Sequence, residues 1–356
     1  MPARKGRGAV GNVEGRFETR RLRPEDYGWG TGGDEDAPPR LPTTVTPEKT
    51  RTILSRNDSP DIPFDRSINP YKGCEHGCVY CFARPTHSYL GMSPGLDFET
   101  KIFSKPEAAR LLREELRRPG YRCDVIALGA NTDPYQPVER DLNITRAVLE
   151  VLWEHRHPVG IVTKSSLVLR DLDLLEPMAR QNLAAVFLSI TTLDRGLART
   201  MEPRAAAPHR RLETIKALSD AGVPAGVLAS PMIPGLNDKE LESILEAAAA
   251  AGARTAGYIL LRLPHEVKEI FSEWLTTHYP LKAAHVLSLV RQTHGGRLYD
   301  SEFGTRMKGD GPYADLLRRR FETASRRLGL LKRDLDLDVT QFRVPPRAGD
   351  QPGLFD

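Results

Sequence analysis

From residue 65 onward the chain alternates between short apolar runs and longer stretches of helical period. The apolar runs are SINPYKG (67–73), DVIALGA (124–130), PVGIVTK (158–164), AAVFLSI (184–190), PAGVLAS (224–230) and AGYILLR (256–262). Several are apolar at consecutive positions, as strands buried on both faces must be. The segments between them carry start and stop signals. Ser104 followed by Glu107 predicts a capping box for SKPEAARLLREELRRPG, with Gly120 able to take the left-handed turn that ends a helix. Asn237 and Glu240 repeat the device before LESILEAAAAAGA, which stops at Gly252. Six strand-helix units in series predict an α/β fold, a partial (β/α)6 TIM-like barrel, because parallel connections are right-handed and close naturally on themselves. A doubly wound open sheet has the same periodicity and stays open as an alternative.

Residues 1–60 are rich in Gly, Pro and charge and show no sustained apolar period, so they predict an irregular basic arm. Residues 61–265 form the predicted core barrel. A helical C-terminal extension is predicted over 266–335 (EVKEIFSEWLTTH, AAHVLSLVRQTHGG, ADLLRRRFETASRRLGLLKR), and a flexible polar tail over 336–356.

No apolar run approaches the roughly 20 residues that span a bilayer. The start, MPARKGRGAVGN, lacks the apolar stretch of a secretory signal, so the expected compartment is the cytoplasm, with no membrane partner. The four cysteines stand at 74, 78, 81 and 123. Spacing so unequal, in a reducing compartment, predicts metal binding or catalysis rather than a disulfide framework. A net charge of +4 is too small to call for nucleic acid by itself.

The stretch GCEHGCVYCF (73–82) places Cys74, Cys78 and Cys81 on one loop, where Gly73 and Gly77 remove side chains that would resist tight wrapping. A 4Fe-4S cubane normally takes four thiolates, so a three-cysteine loop leaves one iron open to a small molecule. An open site means chemistry. Zinc, with His76 or His87 as fourth ligand, is the alternative, although no second Cys or His pair has the spacing of a structural zinc site.

The pattern Cys74-x-x-x-Cys78-x-Tyr80-Cys81 resembles the signature of the radical S-adenosylmethionine (radical SAM) superfamily. The longer run NPYKGCEHGCVYCFARPTHSYLG resembles a bacterial branch grouped with spore photoproduct lyase, and the superfamily resemblance extends over 65–265. It implies a 4Fe-4S cluster on the three cysteines and SAM bound through its amino and carboxylate groups at the unique iron. It also implies an external one-electron donor, such as flavodoxin or ferredoxin, and a 5′-deoxyadenosyl radical that abstracts hydrogen from a substrate.

Reacting groups in such barrels sit at the carboxyl ends of the strands. Those ends offer Asn131, Thr132 and Asp133, then Lys164, then Ser189 and Thr191, then Ser230 as candidate cofactor contacts. The resemblance implies Lys164 and Ser189 for SAM and leaves Tyr80 as a redox-active side chain; Phe82 has no hydroxyl to help. Blander readings stand beside these: a strand-end lysine is more often solvated, and Asp133 before Pro134 also suits a turn. Glu202 and Arg204, in MEPRAAAPHRR (201–211), either face the barrel mouth or form an ion-pair cluster at a helix start. One departure matters. Spore photoproduct lyase uses a cysteine near the end of its second strand, where this chain has Ala130, and Cys123 precedes that strand. Reversal of a thymine lesion by the same route is therefore not expected.

In ADLLRRRFETASRRLGLLKR, Leu317, Phe321, Ala324 and Leu328 recur at helical spacing and leave Arg318, Arg319, Arg326 and Arg327 to other faces. The arm adds Arg4, Lys5, Arg7, Arg16, Arg20, Arg21 and Arg23. Such clusters either follow phosphates or are solvated and paired with neighbouring acids. The end, QPGLFD, resembles the peptide that docks on bacterial sliding clamps, with Gln351, Leu354 and Phe355 as anchors. The expected function is a radical SAM enzyme acting on damaged or modified DNA or RNA. A protein or small-metabolite substrate is the alternative, and a zinc-stabilised nucleic-acid-binding protein without catalysis is the rival from another class.

Overall fold

The computed structural model describes residues 4, 6–18, 41–331 and 336–346. Among these described residues there are ten strands: β1 Thr44–Pro47, β2 Leu54–Arg56, β3 Arg66–Ile68, β4 Tyr71–Lys72, β5 Lys101–Ser104, β6 Ile126–Leu128, β7 Val159–Thr163, β8 Ala184–Ser189, β9 Ala225–Met232 and β10 Thr255–Leu260. The main sheet runs β10-β9-β8-β7-β6-β3-β2. Its six strands from β3 to β10 are parallel, and β2 adds an antiparallel edge. The sheet stays open: among the described residues β10 and β2 are its two edges. That is the partial barrel which six strand-helix units predict. A small second sheet, β1-β5-β4, lies beside it.

Each parallel strand is short and apolar because helices cover it. Ile144–Glu154, Leu172–Arg180, Pro208–Asp220 and Leu241–Ala250 alternate with β6 to β10, and their buried faces join Val159, Ile161, Val186, Leu188, Ala225 and Val227 in one core. A side chain buried this way contributes roughly 1.5–3 kcal/mol. A second core holds Phe271, Trp274 and Leu275 of helix Val267–His278 against Val79 and Tyr80 of the cysteine loop. Ala9 and Val13 belong to it too.

That membership corrects the expected arm. Residues 1–60 are not all irregular: β1 and β2 fall inside them, and Arg7, Gly8, Ala9, Val10 and Val13 are buried. Arg7 donates to the carbonyls of Glu99 (2.8 Å) and Leu41 (2.7 Å), and Arg16 pairs with Glu266 (2.7 Å), so neither is a loose phosphate hook. Lys5, Arg20, Arg21 and Arg23, and the Gln351, Leu354 and Phe355 anchors, lie outside the described residues.

Neither predicted capping box forms. Ser104 is buried at the end of β5, paired with Tyr71, and helix Ala108–Leu116 begins after Glu107 without a side-chain cap. The Asn237 amide donates instead to the carbonyls of Thr191 (2.7 Å) and Pro231 (3.0 Å). Helix Pro312–Arg327 buries Leu317 and Ala324 and stacks Phe321 on Tyr258 at 4.8 Å between centroids. Its arginines are largely spoken for: Arg318 pairs with Asp315 (2.5 Å), Arg320 with Glu242 (2.6 Å) and Arg327 with Glu246.

Candidate active site around the cysteine loop

The loop after β4 owes its shape to buried groups beneath it. Gly73 and Gly77 have positive φ of 78° and 66°, conformations that favour glycine. The fully buried Arg84 guanidinium donates to the carbonyls of Gly77 (3.2 Å) and Cys78 (2.9 Å) and pairs with Glu99 at 2.5 Å. Glu99 in turn accepts from the amides of Gly8 (3.0 Å) and Ala9 (2.8 Å). A Cβ on Gly8 would come within 1.8 Å of the Gly77 carbonyl oxygen, so the N-terminal segment lies directly against the loop. Removing one partner of such a buried pair costs about 3–5 kcal/mol.

Cys74 and Cys78 are buried and Cys81 is partly exposed; none is in a disulfide. Burial pushes the Cys74 thiol well above its ordinary value and the Cys78 thiol up to about 12. Buried thiols such as Cys74 and Cys78 become thiolates only if a cation compensates them, which is what iron supplies. Among the described residues no three His, Cys, Asp or Glu side chains converge as ligands of one ion. A cubane offers separate iron corners, so its thiolates need not meet at a point. The zinc alternative lacks a converging set: His76 Nδ1 faces Asp133 at 3.3 Å and His87 Nε2 donates to the Lys101 carbonyl at 2.9 Å, and although each ring keeps a second nitrogen, neither joins the cysteines in a group that could hold one ion among the described residues. The residues present fit a cluster better than a lone ion.

Under the loop lies a second buried network. Glu202 pairs with Arg211 and accepts from the Tyr80 hydroxyl and from Thr191 Oγ1 (2.6 Å). Burial alone would raise the Glu202 carboxyl, but Arg211 and Lys164 override it and hold it at about 2. Arg211 also donates to the Ser189 carbonyl at 2.8 Å. Tyr80 is therefore tied into this network by its hydroxyl rather than free at the mouth. Arg204 pairs with Glu75 of the cysteine loop at 3.0 Å, so the 201–211 segment forms ion pairs that grip the loop from below.

The strand-end residues divide into two groups. Asp133 is engaged within the chain, accepting from Thr163 Oγ1 (2.7 Å) and from the amides of Lys164 (2.7 Å) and Tyr135 (2.9 Å). Burial opposes its charge, yet His76 and these donors hold it at about 2. Thr132 donates to the Tyr71 carbonyl (2.9 Å), and the exposed Asn131 gives its amide to Asn69 (2.8 Å). Ser230 lies inside β9, not after it. Lys164 and Ser189 differ. Among the described residues neither the Lys164 ammonium nor the Ser189 hydroxyl has a hydrogen-bond partner, and the ammonium sits 5.8 Å over the Tyr80 ring. Burial lowers the Lys164 pKa, but Cys78 and Glu202 more than compensate and keep it charged. A second cation mirrors it: Arg262, just past β10, lies 5.3 Å over the Phe82 ring, and its Nε is buried without a partner. Sequence reading missed Arg84, Glu99, Arg211 and Arg262, because buried pairs between distant segments leave no local pattern.

Comparison with known proteins agrees with this geometry. Residues 68–248 match the radical SAM superfamily. An uncharacterised protein of Mycobacterium tuberculosis is 38% identical over 233 residues, covering 65% of this chain and 68% of that protein. An uncharacterised protein of Methanocaldococcus jannaschii is 29% identical over 173 residues, covering 49% of this chain and 62% of that protein. The fold resembles that of spore photoproduct lyase, including a structure with bound AdoMet and dinucleoside spore photoproduct, at a TM-score of 0.57 and 15% identity, covering 80% of this chain and 78% of that one. The chain belongs to the radical SAM superfamily, whose members use a 4Fe-4S cluster and SAM. Its fold is the open α/β sheet of spore photoproduct lyase. No helix among the described residues is long and apolar enough to cross a membrane.

Proposed function

We propose that the chain is a radical SAM enzyme that acts on nucleic acid, with Cys74, Cys78 and Cys81 holding the cluster. When bound, the cluster and SAM supply a 5′-deoxyadenosyl radical for hydrogen abstraction. Arg84, Glu99 and the buried N-terminal segment set the loop's shape, and Glu202 with Arg211 keeps Tyr80 and Lys164 in place. Lys164 and Ser189 take the carboxylate and amine of SAM, while Asn131, Thr132 and Asp133 position the turn that carries the Lys164 amide. Ser230 lines the same end of the sheet. The observation that carries this reading is the charged Lys164 ammonium beside the buried Cys78, half-buried over the Tyr80 ring and without a hydrogen-bond partner among the described residues, since its three N–H donors are left for a ligand. The nucleic-acid substrate is supported by the shared fold with an enzyme whose ligand is a dinucleoside lesion. With Ala130 after β6 and Cys123 half-buried ahead of it, the hydrogen donor differs from that enzyme's cysteine.

The test is anaerobic incubation of reconstituted protein with SAM and a one-electron donor, such as flavodoxin or ferredoxin, with or without single-stranded DNA or RNA. The reading expects 5′-deoxyadenosine, formed faster when nucleic acid is present. Production that responds only to a peptide or a small metabolite would move the substrate to that class.

A further inference from the structure

We propose that the rim of the cysteine loop is a track for a nucleic-acid strand with unstacked bases, built from arginine-aromatic pairs. This deepens the nucleic-acid reading by naming the form of the substrate and the residues that hold it. Among the described residues the exposed aromatic side chains are Phe17, Phe82, Tyr89 and Phe303. Each carries a guanidinium. Arg16 lies 5.4 Å from the Phe17 centroid and 5.5 Å from that of Tyr89, Arg262 lies 5.3 Å from Phe82, and Arg306 lies 4.5 Å from Phe303.

These pairs are joined around the end of β10. Arg262 follows that strand, and Glu266 accepts from Arg16 Nε (2.7 Å) and from Ser88 (3.2 Å), the neighbour of Tyr89. On the other side Asp61, which feels the charge of Arg262, pairs with Arg306 at 2.5 Å. Phe82 directly follows Cys81, so the middle of the track passes the proposed cluster. The outer arginines are neutralised and fixed by Glu266 and Asp61. Arg262 is not: it has no ion pair or hydrogen bond among the described residues, and its buried Nε is unpartnered.

The chemistry selects the ligand. Lys164 answers the single carboxylate of SAM, which leaves Arg262 for an anion that comes with the substrate. Exposed rings backed by planar guanidinium groups offer stacking faces, and only bases freed from a duplex present faces to stack on them. A phosphodiester strand supplies both the bases and the anion.

Fluorescence anisotropy of the anaerobically purified full-length protein with a labelled mixed-sequence strand of about 12 nucleotides, as DNA, as RNA and as the matching duplex, tests this. The single strands are expected to bind more tightly than the duplex. Phe303→Ala and Tyr89→Ala, both on exposed rings, should each weaken binding about tenfold at unchanged melting temperature. Arg262→Ala should weaken it more than Arg262→Lys, which keeps charge but not the plane. Arg319→Ala, on helix Pro312–Arg327 and outside the arginine-aromatic pairs, serves as the control for general basic attraction and should bind as wild type does. Wild-type affinity in both aromatic variants, equal binding of duplex and strand, or an equal loss in Arg319→Ala would overturn the track. Wild-type protein that cleaves SAM yet binds no strand overturns both the track and the nucleic-acid substrate while leaving the radical SAM activity intact. Wild-type protein that binds the strand as described but holds no iron supports the track and removes the enzyme.

Discussion

Two buried charge networks, one beneath the cysteine loop and one beneath the turn after β6, differ in whether they are finished. In the second, Tyr135 and Arg170 engage Asp171 at 3.0 and 2.8 Å, Arg146 reaches Asp171 at 3.1 Å, and Glu139 accepts from Arg170 (2.8 Å) and from Tyr71. Every charge there has a partner. In the first, Glu202, Arg211, Tyr80 and Thr191 are satisfied, but Lys164 and Ser189 are left with bonding capacity, three thiols crowd beside them, and Arg262 repeats the pattern across Phe82. Both networks bear the desolvation cost of burying charge. Only one keeps groups in reserve, and reserve is what distinguishes a site from scaffolding.

The sharpest break between the two regions is metal. Cys78→Ala should reduce iron after anaerobic reconstitution to near zero, while Arg146→Ala should leave it at the wild-type level. Next comes stability. Glu202→Ala should cost about 3–5 kcal/mol in denaturant unfolding, because it strands the buried Arg211, and Glu139→Ala about 1–3 kcal/mol, because the buried Tyr71 hydroxyl and Thr145 amide lose their acceptor while Arg170 keeps Asp171. A loss under about 1 kcal/mol at either position would show that its network is not a structural unit.

Acid sharpens the comparison further. The Glu202 carboxyl is held near 2 against an ordinary 4.5, a depressed folded value. Its stabilisation is therefore complete above about 4.5 and is lost as pH falls toward 2, a slope that should vanish in Glu202→Gln. Lys164→Ala should lower SAM affinity about 10- to 100-fold in equilibrium binding, with little change in unfolding free energy. Arg146→Ala should show the reverse. The smallest effect belongs to Arg318→Ala, whose exposed ion pair with Asp315 should be worth less than about 0.5 kcal/mol.

The elements that read clearly from sequence are those with a local signature. Consecutive apolar residues marked β7, β8, β9 and β10 to within a few positions, because burial on both faces leaves no room for polar side chains. The three cysteines and the two glycines among them announced the loop, and position after a strand singled out Lys164 and Ser189. What stayed hidden was held by tertiary contact. The segment around Ala9 has no period, and it is buried because its amides meet Glu99, 90 residues away. Ser104 and Asn237 looked like caps but serve β5 and the Thr191 turn, since strand pairing and a buried carbonyl claimed them first. Arg211 sits in a helix of ordinary amphipathic pattern, and only Glu202 gives it meaning.

The most direct measurement is electron paramagnetic resonance of the anaerobically reconstituted, reduced protein, with iron and sulfide assayed in the same sample and the spectrum taken with and without SAM. A cluster bound by Cys74, Cys78 and Cys81 predicts about four iron and four sulfide atoms per chain and a signal that changes when SAM binds. A single zinc, or a cluster whose signal ignores SAM, would contradict an iron left open to the cofactor.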